Sequence, residues 1–155
     1  FKNPSRPLCN ALCMNEFRYI FASVKFAEFD NAGKTAISGE LTRRGYVVTE
    51  NPGLGIDLTV FRTVGFVAHL DAEVRTSWRH GDWPFDTVQT SIRKQKFCEP
   101  GNWLCVLRAD RLAGVFVDLS QPAEVTHKTV DRRRGCEMFF SFSGWVPIDI
   151  STRSI

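Results

Sequence analysis

The sequence lacks a long hydrophobic run. No apolar segment approaches the roughly 20 residues that a membrane-spanning helix needs. No signal peptide pattern is visible either, so we expect an intracellular protein, cytoplasmic or nuclear and not secreted, with no membrane partner. Cysteine is also sparse. The five cysteines are odd in number and scattered, which favours a reduced compartment over a disulfide framework.

The common short motifs of nucleotide and hydrolase chemistry are missing as well. There is no Walker loop, no Gly-X-Gly-X-X-Gly, no Gly-X-Ser-X-Gly and no His-Glu-X-X-His. The excess of charge is small, since 20 basic residues against 17 acidic residues give a net charge of +3. Such a charge is compatible with a nucleic-acid partner but does not establish one.

The composition is that of an ordinary globular chain. Hydrophobic residues make up 43% and charged residues 24% of the 155 residues, which fits one domain with its own core. We therefore interpret residues 1–155 as a single domain, in which residues 1–13 form an extended N-terminal arm.

Hydrophobic spacing predicts one helix followed mainly by strands. The helix covers Lys34–Arg44 and ends at Gly45. The predicted strands are Tyr46–Val48, Ile56–Phe61, Gly65–Trp78, Thr87–Ile92, Trp103–Leu107, Leu112–Leu119 and Cys136–Phe142. Ser120 followed by Pro122 is typical of a helix start, so Ser120–Arg134 is predicted as a helix or helical turn.

The strand Gly65–Trp78 has two chemically different faces, because side chains on a strand alternate with period two. The apolar set is Phe66, Ala68, Leu70, Ala72 and Val74. The alternate set is Val67, His69, Asp71, Glu73 and Arg75. The sequence therefore predicts one buried face and one face that concentrates ionisable groups.

Asp57 lies on the polar face of the preceding strand, opposite to its apolar neighbours. If the two strands pair as a hairpin, Asp57 lies beside the row formed by Glu73 and Arg75. Two carboxylates next to a cation suit a divalent metal ion and a phosphate. Asp71 shares this face and is the reserve ligand. The alternative is a solvated patch of surface charge with little energetic weight.

The ordered runs Gly45–Val48, Gly55–Leu58 and Ala72–Ser77 resemble the pattern of the PD-(D/E)XK nuclease superfamily, in its restriction endonuclease-like and Holliday junction resolvase-like branches. The resemblance implies an α/β, restriction endonuclease-like fold with a central mixed β-sheet flanked by helices. It also implies a Mg²⁺-dependent (or Mn²⁺-dependent) endonuclease in which Asp57 and Glu73 are the metal ligands. Many members dimerise, so a homodimer is a further expectation.

The resemblance is broken at the lysine of the family's Glu-X-Lys motif. That position holds Arg75, which keeps its proton but is suited to hold a phosphate. Lys94, in a basic run after the predicted strand at residues 87–92, is the candidate replacement. Glu40 is a weak counterpart of a glutamate that many relatives carry near the helix start. The candidate nucleic-acid contacts are Lys34, Arg93, Lys94 and Lys96.

The sequence thus predicts a metal-dependent nuclease that hydrolyses phosphodiester bonds, with DNA as the expected substrate. Its predicted catalytic residues are Asp57, Glu73, Arg75 and Lys94. The alternative is a catalytically inactive protein of the same fold that acts as a DNA-binding or assembly subunit.

Overall fold

The structure, a computed structural model, describes residues 31–52, 55–131 and 135–150. Helix α1 covers residues 31–43. The strands are β1 (Val47–Glu50), β2 (Leu58–Arg62), β3 (Gly65–Arg75), β4 (Val88–Ser91), β5 (Asn102–Arg108), β6 (Ala113–Asp118), β7 (Glu124–Asp131), β8 (Gly135–Phe142) and β9 (Val146–Asp149). A 3₁₀ helix at Ile92–Phe97 lies between β4 and β5.

Six strands form a mixed sheet in the order β1-β2-β3-β5-β6-β9. β3 and β5 are parallel, whereas the other neighbouring pairs are antiparallel. Parallel neighbours need a crossover connection, and here the chain from β3 to β5 makes it through β4 and the 3₁₀ helix. The protein is therefore an α/β protein with a mixed sheet, as the sequence predicts.

Helix α1 covers one face of this sheet. Ile37 and Leu41 on the helix belong to a buried core with apolar residues of the strands. The strand residues of this core include Leu58, Val60, Leu70, Ala72, Val74, Cys105 and Leu107. The helix lies close to β3 at Gly33, where an added Cβ would lie 2.9 Å from Cγ2 of Val74. A residue without a side chain is required there.

A second, antiparallel sheet in the order β4-β8-β7 belongs to the opposite side of the molecule. The core on this side is rich in β-branched and aromatic residues. It contains Trp78, Trp83, Val88, Leu104, Val106, Val115, Val117, Leu119 and Phe142. In the described part of the chain, the mixed sheet is thus covered by a helix on one face and by a sheet on the other.

The predicted helix at Ser120–Arg134 is wrong, because β7 occupies most of this segment and pairs with β8. The segment contains Val125, Thr126, Thr129 and Val130. These β-branched residues are stiff at χ1 and favour a pleated strand, so they outweigh the local helix signal of Ser120 and Pro122. The strand predicted at Cys136–Phe142 is present as β8, but β9 follows it.

The predicted buried face of β3 is confirmed at Leu70, Ala72 and Val74, which are at most 8% exposed. It is wrong at Phe66, which is 52% exposed. The reason is an irregularity of the strand next to Phe66, which also sets the geometry of the candidate site.

Some predictions fall on residues outside the described ranges. These are the extended arm at residues 1–13 and the basic run at residues 132–134. Among the residues that are described, no helix combines the length and the apolar character that crossing a membrane requires.

Candidate active site

A β-bulge in the β2–β3 hairpin determines which side chains meet. Phe61 pairs with Phe66, but Val60 pairs with Ala68, so Val67 is an extra residue on β3. A bulge of this kind shifts the register by one residue. Beyond it Leu58 pairs with Leu70, and residue 57 therefore lies across from residue 71. Without the bulge, residue 57 would face residue 70, whose side chain points into the α1 core.

Asp57 and Asp71 form a pair of carboxyl groups at this position. Oδ2 of Asp57 accepts a hydrogen bond from the backbone N–H of Ala72 at 3.1 Å, which holds the side chain against β3. The Asp57 carboxyl is near enough to that of Asp71 to contribute to raising its pKa. The side chain of Asp71 is 5% exposed and that of Asp57 is 25% exposed. The pair is therefore open to solvent mainly on the Asp57 side.

Lys94 reaches this pair from the 3₁₀ helix. The helix begins after Ser91, whose Oγ accepts a hydrogen bond from the backbone N–H of Arg93 at 3.3 Å. Nζ of Lys94 donates a hydrogen bond to Oδ2 of Asp71 and lies 3.7 Å from Oε2 of Glu73. One ammonium group thus bridges two acids of β3, although it comes from a different segment of the chain.

Glu73 is fixed by two further partners. Its Oε1 accepts hydrogen bonds from Nε and Nη2 of Arg75 at 3.2 and 2.9 Å. Its Oε2 accepts one from Oγ1 of Thr90 at 3.1 Å, and Thr90 is almost fully buried on β4. Nη2 of Arg75 also donates to the backbone carbonyl of Gln89. The contacts of Glu73 therefore join the two sheets.

The protonation behaviour of the cluster follows from burial and neighbouring charge. Burial raises the pKa of the Asp71 carboxyl to about 7, Lys94 opposes this rise, and the nearby Asp57 carboxyl adds to it. Burial also acts to raise the pKa of Glu73, but the charges of Arg75 and Lys94 outweigh it and lower that pKa. Burial acts to lower the pKa of Lys94, but Asp71 and Glu73 outweigh it and raise that pKa. Lys94 is therefore a cation at neutral pH.

The structure brings the predicted catalytic residues together on one face of the mixed sheet, with one change of partners. The sequence analysis paired Asp57 with Glu73, whereas the register places Asp71 opposite Asp57. Glu73 lies two residues further along the same face and binds Arg75. Asp71, the reserve ligand of the sequence analysis, is thus at the centre of the cluster.

The predicted nucleic-acid contacts other than Lys94 are Lys34, Arg93 and Lys96, and their surroundings differ. Nζ of Lys34 lies 3.9 Å from Oδ1 of Asp57 and 3.8 Å from Oε1 of Glu50. Arg93 is exposed, and its Nε donates a hydrogen bond to Oγ of Ser91 at 3.1 Å. Lys96 is exposed on the 3₁₀ helix, with Nζ 5.1 Å from the ring centre of Phe97.

Glu40, the weak helix candidate, is buried and paired with arginines of its own helix and its end. Nη2 of Arg43 and Nε of Arg44 lie 2.5 and 2.6 Å from Oε2 of Glu40. Burial acts to raise the pKa of Glu40, but the hydrogen bonds and charges of these arginines outweigh it and lower that pKa. The ion pairs with Arg43 and Arg44 give Glu40 a structural role.

Sequence reasoning missed Thr90 and gave Asp71 only a secondary place. Thr90 carried no signal, because its contact with Glu73 requires that the two sheets meet. Asp71 was visible as an acid on the right face, but the bulge that selects it is not marked by a glycine or proline at Val67. Within the described ranges, no group of three or more His, Cys, Asp or Glu side chains is arranged to hold a metal ion.

Comparison with family models, with curated proteins and with solved structures finds no match to this chain.

Proposed function

We propose that this protein is a metal-dependent nuclease that hydrolyses phosphodiester bonds in DNA. The observation that carries the proposal is the position of Asp57, immediately before β2, across from Asp71 on β3, with Lys94 bound to Asp71. Two carboxyl groups and an ammonium group in a half-buried position are the groups that a divalent cation and a phosphate need.

The carboxyl pair fits a Mg²⁺ or Mn²⁺ ion. Burial raises the pKa of the Asp71 carboxyl, and the nearby Asp57 carboxyl adds to this rise. A divalent cation bound by both carboxyl groups would neutralise their negative charge. Mg²⁺ is commonly bound by one or two carboxylates, and waters and substrate phosphate complete its coordination. Asp57 and Asp71 would hold the ion, which supplies charge neutralisation at the phosphate when bound.

The other side chains have separate roles in the proposed reaction. Hydrolysis forms a bond between a water oxygen and phosphorus, and it breaks the bond from phosphorus to one ester oxygen, which leaves with a proton. Lys94 is protonated, so it stabilises the negative charge on the phosphate rather than removing a proton from water. Glu73 orients Lys94 from 3.7 Å. Arg75 holds Glu73 and is a positioning residue.

The order of elements supports the proposed family. Helix α1 precedes the mixed sheet, in which β1, β2 and β3 are antiparallel neighbours and β5 lies parallel to β3. The PD-(D/E)XK resemblance implies a helix and a central mixed sheet, and here Asp57 immediately precedes the second strand while Asp71 and Glu73 lie on the third. We therefore propose a restriction endonuclease-like fold in which Lys94 replaces the lysine missing at position 75.

A cleavage assay with matched controls tests the proposal. Labelled DNA is incubated with the protein in Mg²⁺, in Mn²⁺ and in EDTA. We expect cleavage only with metal, and its rate should fall by about 100-fold or more in Asp57→Asn and Asp71→Asn. Lys94→Met should lose on the order of 10² in rate, whereas Lys96→Met, on the same 3₁₀ helix, should cleave like the wild type.

Two results would count against this assignment. Unchanged cleavage in both aspartate variants would show that the carboxyl pair takes no part in the reaction. Binding of DNA without cleavage in either metal would instead support the alternative of a DNA-binding or assembly subunit.

A further inference from the structure

An exposed aromatic surface adjoins the carboxyl cluster on β3. Phe66 is 52% exposed at the end of the hairpin, and its ring centre lies 4.8 Å from that of His69 at an interplanar angle of 54°. We call these two side chains the Phe66–His69 shelf. An exposed phenylalanine is not unusual by itself, but this one is held in place by its neighbours.

Phe66 is supported from several sides. The ring of Phe61 meets it edge-on, with the ring centres 6.4 Å apart and an interplanar angle of 79°. Gly101 lies against its ring edge, and an added Cβ at Gly101 would be 3.7 Å from it. The backbone carbonyl of Gly101 also accepts a hydrogen bond from the N–H of His69 at 2.9 Å. The ring therefore has a fixed orientation, and half of its surface is open to solvent.

His69 is fixed by a chain of hydrogen bonds. Its Nδ1 lies 3.0 Å from Oγ1 of Thr59, which in turn accepts a hydrogen bond from Nδ2 of Asn51 at 2.9 Å. The Thr59 hydroxyl also lies 3.2 Å from Oδ1 of Asn51, so both side chains hold the imidazole through Nδ1. Nε2 has no hydrogen-bond partner among the described residues.

The shelf and the cluster lie close together along β3. His69 lies two residues from Asp71 on the same face of β3, which is about 7 Å along a strand. Asn102 pairs with His69, and its Nδ2 donates to the carbonyl of Phe97 at 3.2 Å. This contact holds the end of the 3₁₀ helix, which carries Lys94 and Lys96, against the residue that pairs with His69.

We propose that the Phe66–His69 shelf binds an unpaired base of a nucleic-acid strand whose phosphate lies at the carboxyl cluster. This inference rests on the proposed function and narrows its substrate class to DNA with unpaired nucleotides beside the cleaved bond. A nucleotide suits this arrangement. Its anionic phosphate can bind the nearby lysines of the 3₁₀ helix, and its base presents a flat π-face to the exposed ring of Phe66. A base stacked inside a duplex does not present that face.

Binding measurements without cleavage test the shelf. The affinity of the protein for a labelled single-stranded oligonucleotide and for the matching duplex is measured in EDTA. Phe66→Ala and Phe66→Leu should each weaken single-strand binding by about 10-fold, whereas Phe66→Trp keeps it, because stacking requires an aromatic ring. Duplex affinity should not change. Val64→Ala, at a 95% exposed position of the same hairpin, is the control and should bind like the wild type.

Several outcomes would overturn the inference. Phe66→Leu keeps an apolar side chain and should remain folded, so wild-type single-strand affinity in this variant would show that the ring does not stack on a base. Equal weakening for single strand and duplex would also refute it. A dimer of the wild type that Phe66→Ala dissociates, without single-strand binding, would assign the shelf to a second copy of the chain. Because binding is measured in EDTA, the binding result does not depend on metal-dependent cleavage, and the two proposals can fail independently.

Discussion

Replacement of Asp71 by Asn is expected to stabilise the metal-free protein at about pH 8. The Asp71 carboxyl is buried beside Asp57, and its pKa is raised from the usual 3.8 to about 7. Each pKa unit corresponds to about 1.4 kcal/mol, so ionised Asp71 costs the folded state about 4 kcal/mol. The asparagine removes this cost, and the attraction of Lys94 is already included in the raised pKa. The amide donors of the asparagine lack partners at this buried position, however, which we take as a loss of about 2 kcal/mol. The net gain is therefore about 2 kcal/mol.

The sign of the pH dependence follows from the raised pKa. Below about pH 4, Asp71 is protonated in both the folded and the unfolded chain. Between this pH and about pH 7 the folded chain holds a proton that the unfolded chain has lost, so wild-type stability falls as the pH rises. The advantage of Asp71→Asn should therefore be small at about pH 5 and should reach its full size at about pH 8.

Thermal unfolding in EDTA at these two pH values measures the effect. A gain of about 2 kcal/mol raises the midpoint by roughly 4–8 °C in a domain of this size. Asp82→Asn, at an exposed position of the loop after β3, is the control and should leave the midpoint unchanged. If Asp71→Asn is less stable than the wild type at about pH 8, or differs from it equally at both values, the carboxyl pair is not under the strain that the structure indicates.

Three further experiments test other parts of the structure. Glu40→Gln should lower the free energy of unfolding by about 1–2 kcal/mol near neutral pH. Because the pKa of Glu40 is lowered, this difference from the wild type, measured by urea unfolding, should vanish as the pH falls below about 4. Gly33→Ala should lower the free energy of unfolding by about 1–3 kcal/mol, because its Cβ clashes with β3. Gly39→Ala, whose Cβ meets open space, should raise it by up to about 1 kcal/mol. Equal effects of the two substitutions would contradict the close approach of α1 to β3. Thr90→Val should slow cleavage by about 10-fold, because it removes the hydroxyl that binds Glu73. Thr90→Ser keeps a hydroxyl and should cleave at the wild-type rate. A Thr90→Ser variant as slow as Thr90→Val would refute the role of the hydroxyl.

The sequence was sufficient for those parts of the fold that depend on local pattern. The period-two alternation around Leu70 and Val74 identified β3 and its buried face, and the spacing of Ile37 and Leu41 identified α1. The strands β5 and β6 followed from two apolar runs separated by a short polar turn. Each of these elements is specified by residues within a few positions of one another.

Features that depend on long-range contact were beyond the sequence. The segment at 120–134 begins like a helix, but its strand conformation depends on pairing with β8. The bulge at Val67 decides that Asp71 rather than Leu70 faces Asp57, and it has no local marker. Lys94 was a candidate only by resemblance, because its contact with Asp71 bridges 23 positions of the chain.

The most direct test of the carboxyl pair is a titration with Mn²⁺ followed by electron paramagnetic resonance, in which free and bound ions are distinguished. The wild type should bind Mn²⁺ at a single site, and Mg²⁺ should displace it. Asp57→Asn and Asp71→Asn should both lose this site, while Asp82→Asn keeps it. A wild type that binds no Mn²⁺, or aspartate variants that bind it as tightly as the wild type, would contradict the proposal that these two side chains hold a metal ion.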